Sequence, residues 1–391
     1  MELDLTWALW ALPIAFVGGW LASRFDIRQW RMETRSAPKS YFKGLNYLLN
    51  EQQDQAIDAF IEAVQQDPDT TDLHFALGNL FRTRGDYDRA VRVHQHLLQR
   101  ADLSRSDHER AQHALAQDFT RAGLLDRAEA SLHLLIGTPY ESEAQISLLS
   151  LYERTRDWTK AIEVASQLET ANRGSFKSRI AHYLCEMAHE SLRQSCPTEA
   201  HAQLQQALSH QPESARARIE LAKLMASEGR HEEACAQLEA LCRQVPSALP
   251  LAAGQLAEQA RTAGRENEAI RLLREAQAQR PSIDLVDALA ALTPAHDTEA
   301  LSALYLAHLG KEPSLVAATR WLGLQVPSSQ GGTHTPLSPM PPDVQKALVE
   351  AVKPLQRYRC AACGFEAGIH FWQCPGCQTW DSYSPRRVEE L

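Results

Sequence analysis

Positive charge is in short supply in this chain. Forty lysines and arginines face 49 acidic residues, leaving a net charge of −9 and a pI near 5.9. That balance disfavours general nucleic-acid binding. The familiar catalytic signatures are also missing: there is no P-loop, no H-E-x-x-H, no G-x-S-x-G and no dinucleotide glycine motif. The expected protein is therefore not an enzyme. Cysteine is scarce, with eight in 391 residues. Cys185, Cys196, Cys235 and Cys242 fall in or beside helical stretches and read as buried free thiols, which suits a reducing compartment. The hydrophobic fraction is ordinary for a soluble protein at 44%, so any membrane contact must be local.

One uncharged apolar run stands out, from Leu5 to Ala22. Eighteen to twenty apolar residues just span a bilayer core of ~30 Å. Trp7, Trp10 and Trp20 lie toward its ends, where interfacial anchors sit, and Pro13 is of a kind that lipid-embedded helices tolerate. Glu2 and Asp4 precede the run, whereas Arg24, Arg28, Arg31, Arg35 and Lys39 follow it. The positive-inside rule then places the N-terminus outside and everything after Ala22 in the cytoplasm. A cleaved signal peptide would carry the opposite flanking charge and a small-x-small cleavage site. The basic run either contacts anionic headgroups or acts only as a topology signal.

A repeat of about 34 residues occupies the middle. Gly44, Tyr47, Ala56, Phe60, Ala63 and Pro68 set the pattern, and Gly78, Phe81 and Ala90 restate it, with His94 and Leu97 in the later positions. The small residue that lets two helices approach recurs as Ala56, Ala90, Ala128, Ala161, Ala200, Ala234 and Ala269. Terminal prolines appear as Pro68, Pro212, Pro246 and Pro281. Two repeats are stretched in their loops, near Leu103–Asp107 and Asn172–Phe176, and a degenerate eighth unit centres on Ala300. The offsets resemble those of tetratricopeptide repeats, which stack helical hairpins into a solenoid with a concave face. Seven to eight hairpins are expected from about Ala37 to about Glu312.

In that repeat family the inner helix presents its twelfth and thirteenth positions to the groove. Here those positions hold Arg82, Arg121, Arg154, Arg193 and Arg261. An arginine ladder suits an acidic or carboxylate-bearing partner, since guanidinium forks grip carboxylates in pairs. The competing reading is that arginine near a helix C-terminus complements the helix dipole.

The stretch from Val326 to Pro342 is rich in Pro, Ser and Gly and reads as a semi-stiff linker. Asp343 is placed to N-cap a short amphipathic helix with Val344, Ala347, Leu348, Ala351 and Val352 on one side. Two C-x-x-C pairs then follow, Cys360 with Cys363 and Cys374 with Cys377. Each pair forms a knuckle that aims two thiolates at one ion, and facing knuckles complete a tetrahedral sulfur site. Four thiolates in a tetrahedron suit iron or zinc. Two disulfides would need an oxidising compartment, against the N-terminal topology. With four thiolates at hand, His370 is left for the core. Tyr358, Phe365, Phe371, Trp372, Trp380 and Tyr383 read as that small core around the metal.

The terminal segment resembles a shortened rubredoxin, whose knuckles are C-x-x-C-G and C-P-x-C. It departs in two ways: the knuckles are closer in sequence, and Gln378 stands where a glycine is expected after the second pair. The same compressed spacing occurs in bacterial zinc ribbons, so spacing leaves iron and zinc both open. Taken whole, the order of parts resembles the lipopolysaccharide assembly protein B family. Also in keeping are the Arg-Tyr-Arg-Cys entry (357–360) and the Cys-Pro-x-Cys-x-x-Trp exit through Trp380.

The fold class expected is an all-α tetratricopeptide-repeat solenoid, with an N-terminal transmembrane helix and a small C-terminal rubredoxin-like or zinc-ribbon metal domain. The layout is a transmembrane helix at 1–23, a basic juxtamembrane segment at 24–36, the solenoid at 37–325, a linker at 326–342, and a helix plus metal domain at 343–391. The resemblance implies a non-catalytic adaptor in the bacterial inner membrane, single-pass, with its bulk in the cytoplasm. It implies a regulator of lipopolysaccharide synthesis that helps a membrane-anchored AAA+ protease degrade the deacetylase committing flux to lipid A. It also implies one iron ion, with zinc as the alternative, on Cys360, Cys363, Cys374 and Cys377. Homo-oligomerisation stays open, and no nucleic-acid partner is expected. Two other readings stand beside it: a rubredoxin-like electron-transfer protein, and a general envelope-assembly scaffold or co-chaperone.

Overall fold

The computed structural model describes residues 15–17, 19–20, 39–66, 70–324 and 341–391. Seventeen α-helices, with one 3-10 turn at Pro246–Ala248, run from Lys39 to Leu324 among the described residues. They divide into two compact units, Met1–Thr155 and Arg156–Leu391.

Unit 1 holds α1 (Lys39–Leu49), α2 (Gln53–Gln66), α3 (Thr71–Arg84), α4 (Tyr87–Leu98), α5 (Arg105–Ala122), α6 (Leu125–His133) and α7 (Glu141–Thr155). α1 packs on α2, α3 on α4 and α5 on α6 to form three hairpins, each hairpin packs on its neighbour, and α7 packs on α6. The repeat residues explain why. Phe60 and Phe81 are buried with Ala56, Ala63 and Ala90, and a Cβ at Gly44 would come within 2.9 Å of the Phe60 ring. Small residues on one helix admit the aromatic ring of the other, which is the ridge-and-groove logic of close helix packing. Where the first repeat has Phe60, the second has His94, fully buried against Gly78.

Unit 2 continues with α8 (Trp158–Thr170), α9 (Lys177–Arg193), α10 (Pro197–His210), α11 (Ala215–Ser227), α12 (His231–Gln244), α13 (Leu249–Ala263), α14 (Glu266–Gln279), α15 (Ile283–Leu292), α16 (Thr298–Leu309) and α17 (Leu315–Leu324). Of the seven spaced alanines that mark the repeats in the two units, none is more than 2% exposed. Ala300, the centre of the degenerate eighth unit, is only half-buried and sits in the first turn of α16. The stretched loops fall between α4 and α5 and between α8 and α9. Side chains cap several helix starts: Ser104 accepts from Asp107 N at 3.1 Å, and Asp297 accepts from Ala300 N at 3.0 Å.

After residue 340 come α18 (Pro342–Val352) and a two-stranded antiparallel sheet of β1 (Tyr358–Arg359) and β2 (Glu366–Ala367). Asp343 lies inside the first turn of α18 and is not its N-cap. Pro342 takes the first helical position, where its fixed φ is already helical and its missing N–H costs nothing. Val352 anchors α18 in a cluster with Ile283, Val286, Tyr305, Val316 and Ala317.

Among the described residues no helix is long and apolar enough to cross a membrane. The expected span from Leu5 to Ala22 lies outside the described residues except at 15–17 and 19–20, which are helical with Phe16, Val17 and Trp20 exposed. The expected linker likewise falls outside them, apart from its last two residues.

Candidate metal centre and its seat on the solenoid

The two C-x-x-C segments fold into the same turn twice. Cys360 N donates to Phe365 O at 2.9 Å and Gly364 N donates back to Cys360 O at 2.9 Å. In the second turn Cys374 N donates to Thr379 O at 3.0 Å and Gln378 N donates to Cys374 O at 2.8 Å. Both turns need a left-handed residue at the fifth position. Gly364 supplies it at φ 78°, and Gln378 is held there at φ 61° despite its side chain. The departure from the rubredoxin pattern at Gln378 thus leaves the knuckle geometry intact.

Facing each other, the knuckles bring all four Sγ atoms within 4.8 Å of one another. Cys360 Sγ lies 3.8 Å from Cys377 Sγ, and Cys363 Sγ lies 3.6 Å from Cys374 Sγ. A tetrahedron with metal–sulfur bonds of about 2.3 Å has edges of about 3.8 Å, so these spacings fit one ion. Hydroxyls support the sulfurs: Ser382 Oγ stands 3.3 Å from Cys360 Sγ, and Thr379 Oγ1 stands 3.3 Å from Cys377 Sγ. Burial opposes ionisation at Cys360, yet the hydrogen bonds from Ser382 and the Cys363 and Ala362 amides hold its thiol down at about 6. At Cys363 the Phe365 amide favours the thiolate, but the neighbouring sulfurs of Cys374, Cys377 and Cys360 outweigh it and push the thiol up to about 12. Four sulfurs this close compete for negative charge, and a cation among them removes the competition. The donor set fits iron or zinc and does not choose between them. Cys360 and Cys374 are buried, whereas Cys363 and Cys377 are exposed.

The aromatic residues divide the work differently from the expectation of a single core. Tyr358 and Tyr383 are buried beside Cys360 and Cys374, with Phe371 against them, and His370 lies among Tyr358, Trp372 and Tyr383, away from the sulfurs. Phe365 is exposed. Trp380 instead faces the solenoid. It stacks on His182 of α9 with ring centroids 4.8 Å apart and meets Trp158 and Tyr183 edge-on. The next residue, Asp381, accepts from His182 Nε2 and from Ser178 Oγ, both at 2.9 Å.

Beneath Trp380 lies Arg216 of α11, only 3% exposed. A buried guanidinium must be paired. Its Nε donates to Glu220 at 2.6 Å and its Nη2 donates to Glu186 of α9 at 2.8 Å. Burial works against its charge, but these carboxylates overcome that and push its pKa up.

The chain end completes the seat. Arg387 forms a bidentate pair with Asp284 at 2.8 and 2.9 Å, and Arg386 pairs with Glu312 at 2.6 Å. Glu390 accepts from Ile283 N at 2.5 Å, and Glu389 accepts from Val316 N at 3.1 Å. Adjacent glutamates therefore cap the N-termini of α15 and α17, a service usually local to a helix. Sequence reading missed this seat. The signal was the charged tail after the last knuckle, Arg386-Arg387 followed by Glu389-Glu390.

The five ladder arginines do not share one environment. Arg82 Nη1 pairs with buried Asp118 at 2.9 Å, and Asp118 also contacts His94 Nδ1 at 2.5 Å. Arg193 pairs with Glu190 on its own helix, and Arg261 donates to Ala291 O. Arg121 and Arg154 are exposed and have no partner among the described residues. Of the helical cysteines, Cys185 and Cys235 are buried and Cys196 and Cys242 half-buried, all as free thiols.

Hairpins of this repeat carrying a four-cysteine knuckle domain define a tetratricopeptide-repeat protein with a rubredoxin-type metal module. A tetratricopeptide-repeat family model matches residues 43–102 and 185–248, and a model described as a rubredoxin metal binding domain matches 358–385. Lipopolysaccharide assembly protein B of Haemophilus influenzae is 30% identical over 401 residues, covering 97% of this chain and 98% of that protein. The protein of that name from Escherichia coli (strain K12) is 29% identical over 379 residues, covering 96% and 97%. The chain belongs to the lipopolysaccharide assembly protein B family. A solved tetratricopeptide repeat protein from Parabacteroides merdae matches at 16% identity and a TM-score of 0.33, covering 65% of this chain and 97% of that one.

Proposed function

We propose that this protein is a non-catalytic adaptor in lipopolysaccharide assembly, held at the bacterial inner membrane by its apolar N-terminal run with the solenoid in the cytoplasm. The observation that carries the reading is the closed metal centre seated on α9, α11 and α15. Four thiolates leave no coordination position open for a substrate. The segment buries only Tyr358, Cys360, Cys374 and Tyr383 as its own core, too little to fold unaided, so the metal and the seat together hold it. A metal that staples a protein-binding solenoid has an architectural role. The finer reading is that the adaptor presents the lipid A-committing deacetylase to a membrane AAA+ protease. Anchoring supports it, because colocalisation raises effective concentration without new contacts.

The test is complementation of a deletion strain in its own host. The full chain restores normal lipopolysaccharide and a short deacetylase half-life. Removing residues 1–23, or replacing Cys360 and Cys363 with serine, abolishes both. Full rescue by the soluble form at native abundance would sink the anchored-adaptor reading.

The exposure of Cys363 and Cys377 favours a second reading, electron transfer through iron. Replacing the metal with zinc separates the two: the adaptor keeps its activity and an electron carrier loses it.

A further inference from the structure

Between α1 and α3 lies a groove of about 690 Å³. Its floor is apolar: Leu45 and Leu48 from α1, Phe60 from α2, and Ala76 and Leu80 from α3. Its edge is polar, with Asn79 and Thr83 on α3 and Glu51 at the end of α1. The volume is that of a ligand pocket, room for a few apolar side chains and not for a folded domain. Leu48 is 42% exposed, so solvent reaches the apolar floor at that side chain, while Phe60 and Leu80 are buried.

Contacts lead from this groove to positive charge that is unpaired among the described residues. Asn79 accepts from Arg82 Nη2 at 2.6 Å, and Arg82 pairs with Asp118 on α5. Three residues beyond Asp118, on the same side of α5, is Arg121. Arg154 occupies the corresponding place on α7, since Arg121 and Arg154 each stand seven residues before a repeat alanine, Ala128 and Ala161. The inner-helix ends of unit 1 thus carry, in order, acidic Glu51, the neutralised Arg82, and Arg121 and Arg154, two exposed cations with no partner among the described residues. Unit 2 shows that this chain uses inner-helix faces for docking. There Ser178 and His182 of α9, Arg216 of α11 and Asp284 of α15 hold the chain's own metal domain through aromatic and charged contacts.

We propose that the inner face of unit 1 binds an extended segment of a partner protein in which two or three apolar side chains are followed by side-chain carboxylates. The apolar residues fill the groove between α1 and α3. The carboxylates pair with Arg121 and then Arg154, and Glu51 repels acidic residues from the first end, which sets the direction. This deepens the adaptor reading and rests on it for the existence of a protein partner.

The experiment uses the full chain in lipid nanodiscs and fluorescent, C-terminally amidated peptides of about twelve residues. One carries three leucines followed by three glutamates, a second has lysine for glutamate, and a third has alanine for leucine. The first binds saturably and weakens several-fold as salt rises, and the other two bind roughly tenfold or more weakly. Leu48→Glu and the pair Arg121→Glu with Arg154→Glu each weaken the first peptide about tenfold, with unfolding curves unchanged. Equal binding of the glutamate and lysine peptides, full affinity in the arginine pair variant, binding that follows empty nanodiscs, or no binding below millimolar peptide would each overturn the inference. Peptide binding that survives alongside failed complementation condemns the adaptor reading alone. Normal complementation without peptide binding condemns this inference alone.

Discussion

Trp380 and His182, 198 positions apart in sequence, stack with their rings 4.8 Å apart and 19° from parallel. Asp381, next to the tryptophan, hydrogen-bonds the same imidazole, so one histidine on α9 orients both faces of the contact. The metal domain is therefore positioned by a residue that has no part in binding metal.

Trp380→Ala is expected to loosen the seat and leave the metal in place. The loss of stacking on His182 and of cover over Arg216 costs about 2–4 kcal/mol. Hydrogen exchange checks it: amides in 358–385 lose protection in the variant while the metal content stays stoichiometric. Undiminished protection would remove Trp380 from the seat.

Gln378 is expected to be a local strain point. Moving a left-handed non-glycine residue to glycine relieves about 1 kcal/mol, partly offset by the greater freedom of the unfolded chain. Gln378→Gly should raise the midpoint for chelator-induced unfolding of the terminal domain. Gly364→Gln, the reverse change at the matching position, should lower it. If both substitutions shift the midpoint the same way, the two turns are not equivalent.

His370 makes the metal domain sensitive to acid. Burial among Tyr358, Trp372 and Tyr383 depresses its pKa to about 4 from an ordinary value of 6.5. The folded state thus favours the neutral ring. Its contribution is complete above pH 6.5 and is lost as the pH falls from 6.5 toward 4, by at most about 3 kcal/mol. The stability of His370→Phe, measured against wild type with the metal held the same, should fall less steeply across that window. Parallel curves would assign the acid sensitivity to the cysteines.

Arg82 and Arg121 share a residue type and nearly a repeat position, yet they should behave differently. Arg82→Met strands the carboxylate of Asp118, whose side chain is 0% exposed, with His94 as its other partner, and should cost about 3 kcal/mol. Arg121→Met removes an exposed charge and should change stability by under about 0.5 kcal/mol. Urea unfolding of the two variants decides between them. Equal costs would show that the Arg82–Asp118 pair adds nothing to the fold.

The sequence by itself determined the parts with local rules. Helical hairpins followed from a 34-residue period, because every repeat must bury the same small residues, and all seven repeat alanines are buried. The metal ligands followed from C-x-x-C spacing, because a knuckle is a single turn whose geometry is set within six residues. Tertiary structure alone decided how these parts meet. Nothing local marks Trp380 as a docking residue, Glu390 as the cap of a helix beginning 107 positions earlier, or Arg82 as neutralised while Arg121 meets no partner among the described residues. Those roles depend on which distant side chain arrives opposite, and a sequence period repeats the position without repeating the partner.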